Sequence, residues 1–282
     1  MCSSHNPRVR DSAIYPFNQA QCAYSNVFYM KRTTQKPIQS VDRALTILEQ
    51  FSLNEKEFGL SELSKRTGLK PTTCYGLAET LLTHGYLAFN ENTSSYRLGL
   101  KTFQLGQIYS KSIEIREIAH PLIMKLSDEF GQIAHLVVRD VINAVYVDKV
   151  GERDSFRIRS RVGMRAEDFC SAVSQTILTC LPEDELRKML ETPLKRFTAN
   201  TITDPEEYLG SISNARENGY ALDDECLEAG LCCVAAPVYD HNRRVVAAIS
   251  MSGNSDFMHS RLDDVIKAVK ACAAEVTTLL GG

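Results

Sequence analysis

The 282-residue chain has no tryptophan, no uninterrupted apolar run of eighteen residues and no C-x-x-C pair. The missing apolar run argues against a membrane-spanning helix. A signal-peptide core is also lacking, because Pro7, Arg8, Arg10, Asp11, Pro16, Asn18 and Gln19 interrupt the N-terminus. A cytoplasmic location is therefore expected. The nine cysteines stand at 2, 22, 74, 170, 180, 226, 232, 233 and 272, a scatter that fits neither disulfide staples nor a zinc framework. Most read as small buried apolar residues. There is no H-x-x-x-H, no G-x-S-x-G and no Walker glycine pattern, and no nucleophile pairs with a base at interpretable spacing. Catalysis, a cofactor and a structural metal are all left without a motif.

What is present suits two globular domains: 44% apolar and 24% charged residues over a length that can hold two cores. Charge is graded along the chain. Residues 1–36 carry a net of +4, residues 37–110 a net of 0, and 111–282 the remaining −7 of a whole-chain −3. One end is thus fit to meet a polyanion while the other avoids it. Residues 1–29 have no sustained periodicity and read as disordered. Met30 is an alternative start, and "KRTTQKPIQS" after it makes 1–36 a basic arm.

"SVDRALTILEQF" (40–51) is predicted to be a helix capped by Ser40, with Val41, Ala44, Leu45 and Leu48 on its buried face and Ile47 and Phe51 beside them. "GLSELSKRTG" is predicted to start at Ser61 and stop at Gly68. In "GLKPTTCYGLAETLLTHGYL", Cys74, Leu77, Ala78, Leu81 and Leu82 recur at helical spacing behind Pro71. Strands follow at Tyr86–Phe89 and Tyr96–Leu98 around a polar turn. Together, 37–100 read as a winged helix-turn-helix. Residues 101–130 read as a linker helix broken or kinked at Pro121 that also supplies a dimer contact. Residues 131–282 read as an α+β sensor domain with a central antiparallel sheet flanked by helices. Arg157, Arg159 and Arg161 alternate as a solvated strand edge would.

With "YRLGLKTFQLG" and "GLCCVAAPVYD…VVAAISMSG" added to the winged helix, the chain resembles the isocitrate-lyase-regulator (IclR) family of bacterial transcription regulators from about Ile38 to Leu280. The resemblance implies a DNA-binding head, a linker helix and a GAF-like effector domain, acting as a dimer or tetramer, most often as a repressor. The implied partners are a palindromic operator in double-stranded DNA and a small organic metabolite, frequently a carboxylate.

The family's recognition helix commonly carries Arg where this chain has Gly76, so one guanine reader is missing. Thr72, Thr73 and Tyr75 remain for phosphates and base edges, and Lys70 suits a phosphate at the helix N-terminus. Further phosphate contacts are expected from Lys65, Arg66 and Arg97, from Arg43 and Lys36, and from Lys31 and Arg32 in the arm. Taken alone, the helix fits a plain amphipathic helix of a protein–protein domain equally well, so a sensor that has lost DNA binding stays open.

For the effector, the resemblance points to Asp223, Cys233, Ser250 and Ser252, with Leu231 as wall and the backbone amides of Ala172 and Val173 as donors. Ser250 and Ser252 lie two apart on a strand and so face the same way. Singly, each also fits a turn, core or surface role. Ser174, Gln175 and Thr176 replace the family's common Gly-Lys-Ala, and Phe169 stands where His is common. The lost cation puts a carboxylate effector in doubt, and Phe169 tilts the mouth toward apolar or aromatic ligands. The vicinal Cys232–Cys233 pair invites a redox reading, for which the sequence offers no lowered thiol pKa.

Overall fold

A computed structural model of the chain describes residues 37–282 apart from positions 53, 113, 141–142, 152–157, 159 and 167–168. The basic arm with Lys31, Arg32 and Lys36, and the residues Arg157 and Arg159, lie outside the described residues.

The first unit runs α1 (Gln39–Leu48), β1 (Glu57–Phe58), α2 (Leu60–Thr67), α3 (Pro71–Thr83), β2 (Leu87–Asn90) and β3 (Ser95–Leu98). The strands form an antiparallel sheet in the order β1-β3-β2. Ile47, Leu63, Cys74, Ala78, Leu81, Leu87 and Tyr96 pack into one core, which makes this a winged helix-turn-helix. Two predicted caps are wrong. Ile38 precedes α1 and its carbonyl accepts from Asp42 N–H at 3.0 Å, so Ser40 lies inside the helix. Extended Gly59 precedes α2 in the same way and Ser61 is internal, while Gly68 ends the helix in the left-handed conformation as expected. Val41 and Leu45, expected in the core, are 53% and 54% exposed, because Ile47, Ala44 and Leu48 supply the inward face.

Two helices follow, α4 (Leu100–Ser112) and α5 (Glu114–Phe130). Pro121 does not end α5. Ala119, Leu122, Ile123, Leu126 and Phe130 bury themselves along it, and that burial offsets the one hydrogen bond a proline cannot make.

The second unit holds a six-stranded sheet in the order β6-β5-β4-β9-β8-β7, antiparallel throughout. Its strands are β4 (Ile133–Asp140), β5 (Asn143–Val150), β6 (Arg165–Ala166), β7 (Ala221–Asp224), β8 (Leu231–Tyr239) and β9 (Val245–Asn254). Helices α6 (Ala172–Leu178), α7 (Glu183–Met189), α8 (Pro205–Asn218), α9 (Ser255–Ser260) and α10 (Leu262–Leu279) complete it. One sheet face, with Leu136, Val234, Ala236, Ile249 and Met251, packs on Ile123 and Leu126 of α5 and on Val265, Val269 and Val276 of α10. The other face, with Val137, Cys233, Ala235 and Ala248, meets Ala172, Val173 and Ile177 of α6. The strand edge expected at Arg157, Arg159 and Arg161 is not found where it is described: Ile158, Ser160 and Arg161 are non-strand, and the edge strand is β6. Among the described residues no helix is long and apolar enough to cross a membrane.

Gly99 links β3 to α4, and its N–H donates to the Tyr86 carbonyl at 2.7 Å. A Cβ there would collide with the backbone oxygens of Gly85 and Leu87, whereas a Cβ on Gly76 meets nothing within 4 Å. Gly99→Ala is therefore expected to lower stability by about 1–3 kcal/mol. Gly76→Ala should raise it by about 0.5–1 kcal/mol through helix propensity. Urea midpoints of the two variants check the opposite signs.

Candidate functional site

Helix α3 starts on Lys70 in an extended conformation, takes Pro71 as its first residue, and has no side-chain cap. Its first-turn amides therefore remain available to an anion. Cys74, Ala78 and Leu81 are buried; the opposite side presents Lys70, Thr72, Tyr75 and Gly76, with Thr73 half-buried. Two carboxylates stiffen this head. Glu79 accepts from the Tyr96 hydroxyl at 3.0 Å, joining α3 to β3, and burial pushes the Tyr96 phenol up to about 12. Glu57 gathers Ser95 Oγ at 2.8 Å, Thr93 Oγ1 at 3.1 Å and Asn90 Nδ2 at 3.4 Å, which fixes the hairpin tip. The Ser95 hydrogen bond, ahead of those from Asn90 and Thr93, holds the Glu57 carboxyl below its usual range.

The nominated cations divide. Lys65 and Arg97 are exposed. Arg66 is engaged inside the fold: its Nε donates to Glu62 at 2.7 Å, its Nη1 to Glu55 at 3.0 Å, and its guanidinium stacks 4.3 Å from the Phe58 ring. A phosphate would have to compete with both carboxylates for it.

In the second unit the strand register builds two adjacent rows. Asp223, Cys233, Ser252 and Ile133 pair across β7-β8-β9-β4, and Ala221, Ala235, Ser250, His135 and Lys149 continue through β5. Cys233, Ser250 and Ser252 are thus brought together. The Ser252 hydroxyl donates to Cys233 Sγ at 3.1 Å, and burial pushes that thiol up to about 12. Asp223 stands at the end of its row, and its Oδ1 accepts from the amides of Cys226 at 2.8 Å and Leu227 at 3.2 Å. Leu231 is buried at the start of β8. Ala172 and Val173 open α6 behind Ser171, whose hydroxyl accepts from Ser174 N–H.

Ser174, Gln175 and Thr176 are all buried and hydrogen-bonded, to Ala166 O, Cys170 O and Ala235 O respectively. The last bond seats α6 on β8, so the rows are closely covered. A cavity of about 20 Å³, room for one water, lies instead among Phe169, Cys170, Leu194, Lys195, Phe197, Thr201 and Ile202. It includes none of the nominated effector residues. Phe169 packs edge-on to Tyr208, whose hydroxyl donates to the Phe169 carbonyl at 2.9 Å.

Sequence reasoning missed His135. This fully buried ring places Nδ1 3.3 Å from Ser250 Oγ and Nε2 2.8 Å from Ser160 Oγ. Lys149, its partner across the sheet, donates to Ser160 O at 2.9 Å. The available signal was one imidazole inside the apolar strand "IAHLVV", at the same face parity as Ser250.

Residues 107–278 match the family described as bacterial transcriptional regulator IclR, C-terminal, and residues 40–91 match the IclR helix-turn-helix domain. The HTH-type transcriptional regulator XynR of Escherichia coli K12 is 37% identical over 228 residues, 80% of this chain and 89% of XynR. An IclR transcriptional regulator from Alicyclobacillus acidocaldarius superposes with a TM-score of 0.77 at 26% identity, over 88% of this chain and 100% of that one. An IclR homologue from Microbacterium hydrocarbonoxydans, complexed with 4-hydroxybenzoate, has a TM-score of 0.75 at 20% identity, over 86% of this chain and 98% of that one.

Burial, reinforced by the charge of Lys149, pushes the His135 imidazole down to about 3 from an ordinary 6.5. Between those values the unfolded chain takes up a proton that the folded chain refuses, so stability falls as pH drops through the window, by up to about 1.4 kcal/mol per pH unit. Denaturant midpoints from about pH 6.5 to 5 should show this slope, and His135→Asn should flatten it.

Proposed function

The chain belongs to the IclR family of bacterial transcriptional regulators, and from that premise we propose that it represses a metabolic or catabolic operon in the cytoplasm, gripping a palindromic operator as a homodimer or homotetramer. The chain is a ligand-responsive, DNA-binding regulator. The match of both family descriptions along one chain is the observation that carries this reading. In it, residues 37–100 form the DNA-binding head, 101–130 the linker and 131–282 the effector unit.

Lys70, Thr72, Thr73 and Tyr75 line the major groove at the uncapped start of α3. Lys65 and Arg97 flank them, and Lys31 and Arg32 extend the grip from the arm. Arg66 contributes only where a phosphate displaces a carboxylate. Each neutralised phosphate adds about 0.9 to the log–log salt slope, and a second copy doubles their number. Support for that copy comes from an uncovered apolar set: Ile38, Val41 and Leu45 before and on α1, and Leu100, Phe103 and Ile108 on α4, are all more than half exposed. A twofold partner would bury them.

The effector meets Asp223, Cys233, Ser250 and Ser252, with Leu231 and the amides of Ala172 and Val173 around it. The uncharged His135, Cys233 and serines favour a small organic metabolite with an apolar or aromatic body and a hydroxyl or carbonyl end. Because α6 covers the rows closely, ligand entry selects a more open arrangement of the effector unit. The effector then redistributes the poses of paired heads and so the half-site spacing they fit.

Retardation of DNA upstream of its own gene is expected at low ionic strength, with a steep salt dependence. Replacing Lys31 and Arg32 by Ala should flatten that slope by about 0.9 for each phosphate that is no longer neutralised; no retardation of any neighbouring fragment would overturn the proposal. Phe103→Glu with Ile108→Glu should yield monomers by sedimentation and weaken retardation with them.

A further inference from the structure

Three side chains of different donor chemistry meet at the β7 edge of the sheet. Asp224 ends β7, Cys232 opposes it directly in the register of β8, and His259 comes from the last turn of α9. His259 Nε2 lies 2.6 Å from Asp224 Oδ1, and with Cys232 Sγ the donor atoms all fall within 4.8 Å of one another. Residues adjacent on a strand point to opposite faces. This cluster therefore lies across the sheet from Asp223 and Cys233, on the face covered by α5 and α10. The ordinary account, an Asp–His hydrogen bond beside a core cysteine, does not require a sulfur this close to that pair.

We propose that Asp224, Cys232 and His259 form a binding site for a borderline divalent cation of the zinc class, through one oxygen, one sulfur and one nitrogen, with water completing a tetrahedron. Zinc accepts this mixed set at bond lengths of about 2.0–2.3 Å, whereas magnesium and calcium select oxygen ligands. Asp224 and His259 side chains are about half exposed, at 48% and 44%, so they can swing by torsion while the fully buried Cys232 stays fixed. On binding, Cys232 releases its proton to solvent, and the His259 ring gives up its Nε2–H···Asp224 hydrogen bond, carries its proton on Nδ1 and donates the Nε2 lone pair. The metal's two charges are then matched by one carboxylate and one thiolate. Glu225 is not a fourth ligand, since its Oε2 accepts from Gly230 N–H at 2.8 Å.

Full-length protein stripped by a chelator should bind one equivalent of cobalt(II) with the charge-transfer absorption of a cobalt–thiolate bond, and zinc should displace it. Cys232→Ser should abolish the band. His259→Ala, a half-exposed position that leaves the fold intact, should weaken binding by at least about the 10–100-fold lost when only a ligand's support is removed. Absence of the band in the wild type, or equal bands and affinities in His259→Ala, would overturn the site. Neither result bears on DNA retardation, so this inference and the regulatory reading fail separately.

Discussion

The β8–β9 pairing is the constraint on which the effector unit depends. Along nine residues of β8, every second side chain serves one face and the intervening ones serve the other. Val234 and Ala236 opposite Met251 and Ile249 make the floor on which α5 and α10 rest. Cys233 and Ala235 opposite Ser252 and Ser250 make the surface beneath α6. A slip of one residue would send the serines into the apolar floor and Ile249 and Met251 beneath α6. The hydrophobic demand of one face thereby fixes the polar geometry of the other, and the short register shift at Val238/Tyr239 comes only after both sets are placed.

The head is governed by a different distribution of charge. Three carboxylates, Glu55, Glu57 and Glu79, work inward, on Arg66, the hairpin tip and Tyr96. They leave the outer side of α3 with few anions to repel a polyanion, although they also hold Arg66 in place. The helix compensates with bare backbone dipoles at its start and with slender side chains beyond it. Close approach, rather than long cationic reach, is what such a surface allows.

Most of the architecture was legible in the sequence. Period-two and period-3.6 patterns located the wing, the sheet hairpin and the terminal helix, because each of these buries one face only. Failures came where burial is not set by the local pattern. Val41 and Leu45 look like core residues, yet among the described residues nothing covers them. The two-residue β1 is too short to show any period, and it exists only because Glu57 and Phe58 find Arg97 and Tyr96. Pro121 is a helix breaker by its own chemistry, and its neighbours' packing overrides it. For the effector rows, family likeness nominated Cys233, Ser250 and Ser252, and their meeting follows from register. His135 went unseen because its partners lie 115 and 25 positions away. The close seating of α6 rests on a hydroxyl of Thr176 reaching Ala235 O, which no pattern of apolar residues encodes.

The Tyr96–Glu79 bond has a consequence for signalling. It fastens the wing to the reading helix, while Gly99 locks the base of the wing onto the start of α4. A torque arriving along α4 thus meets a rigid body and turns it whole. In the proposed dimer, the preference of each head for its bases would then be insulated from metabolite, and only the geometry between heads would remain open to adjustment.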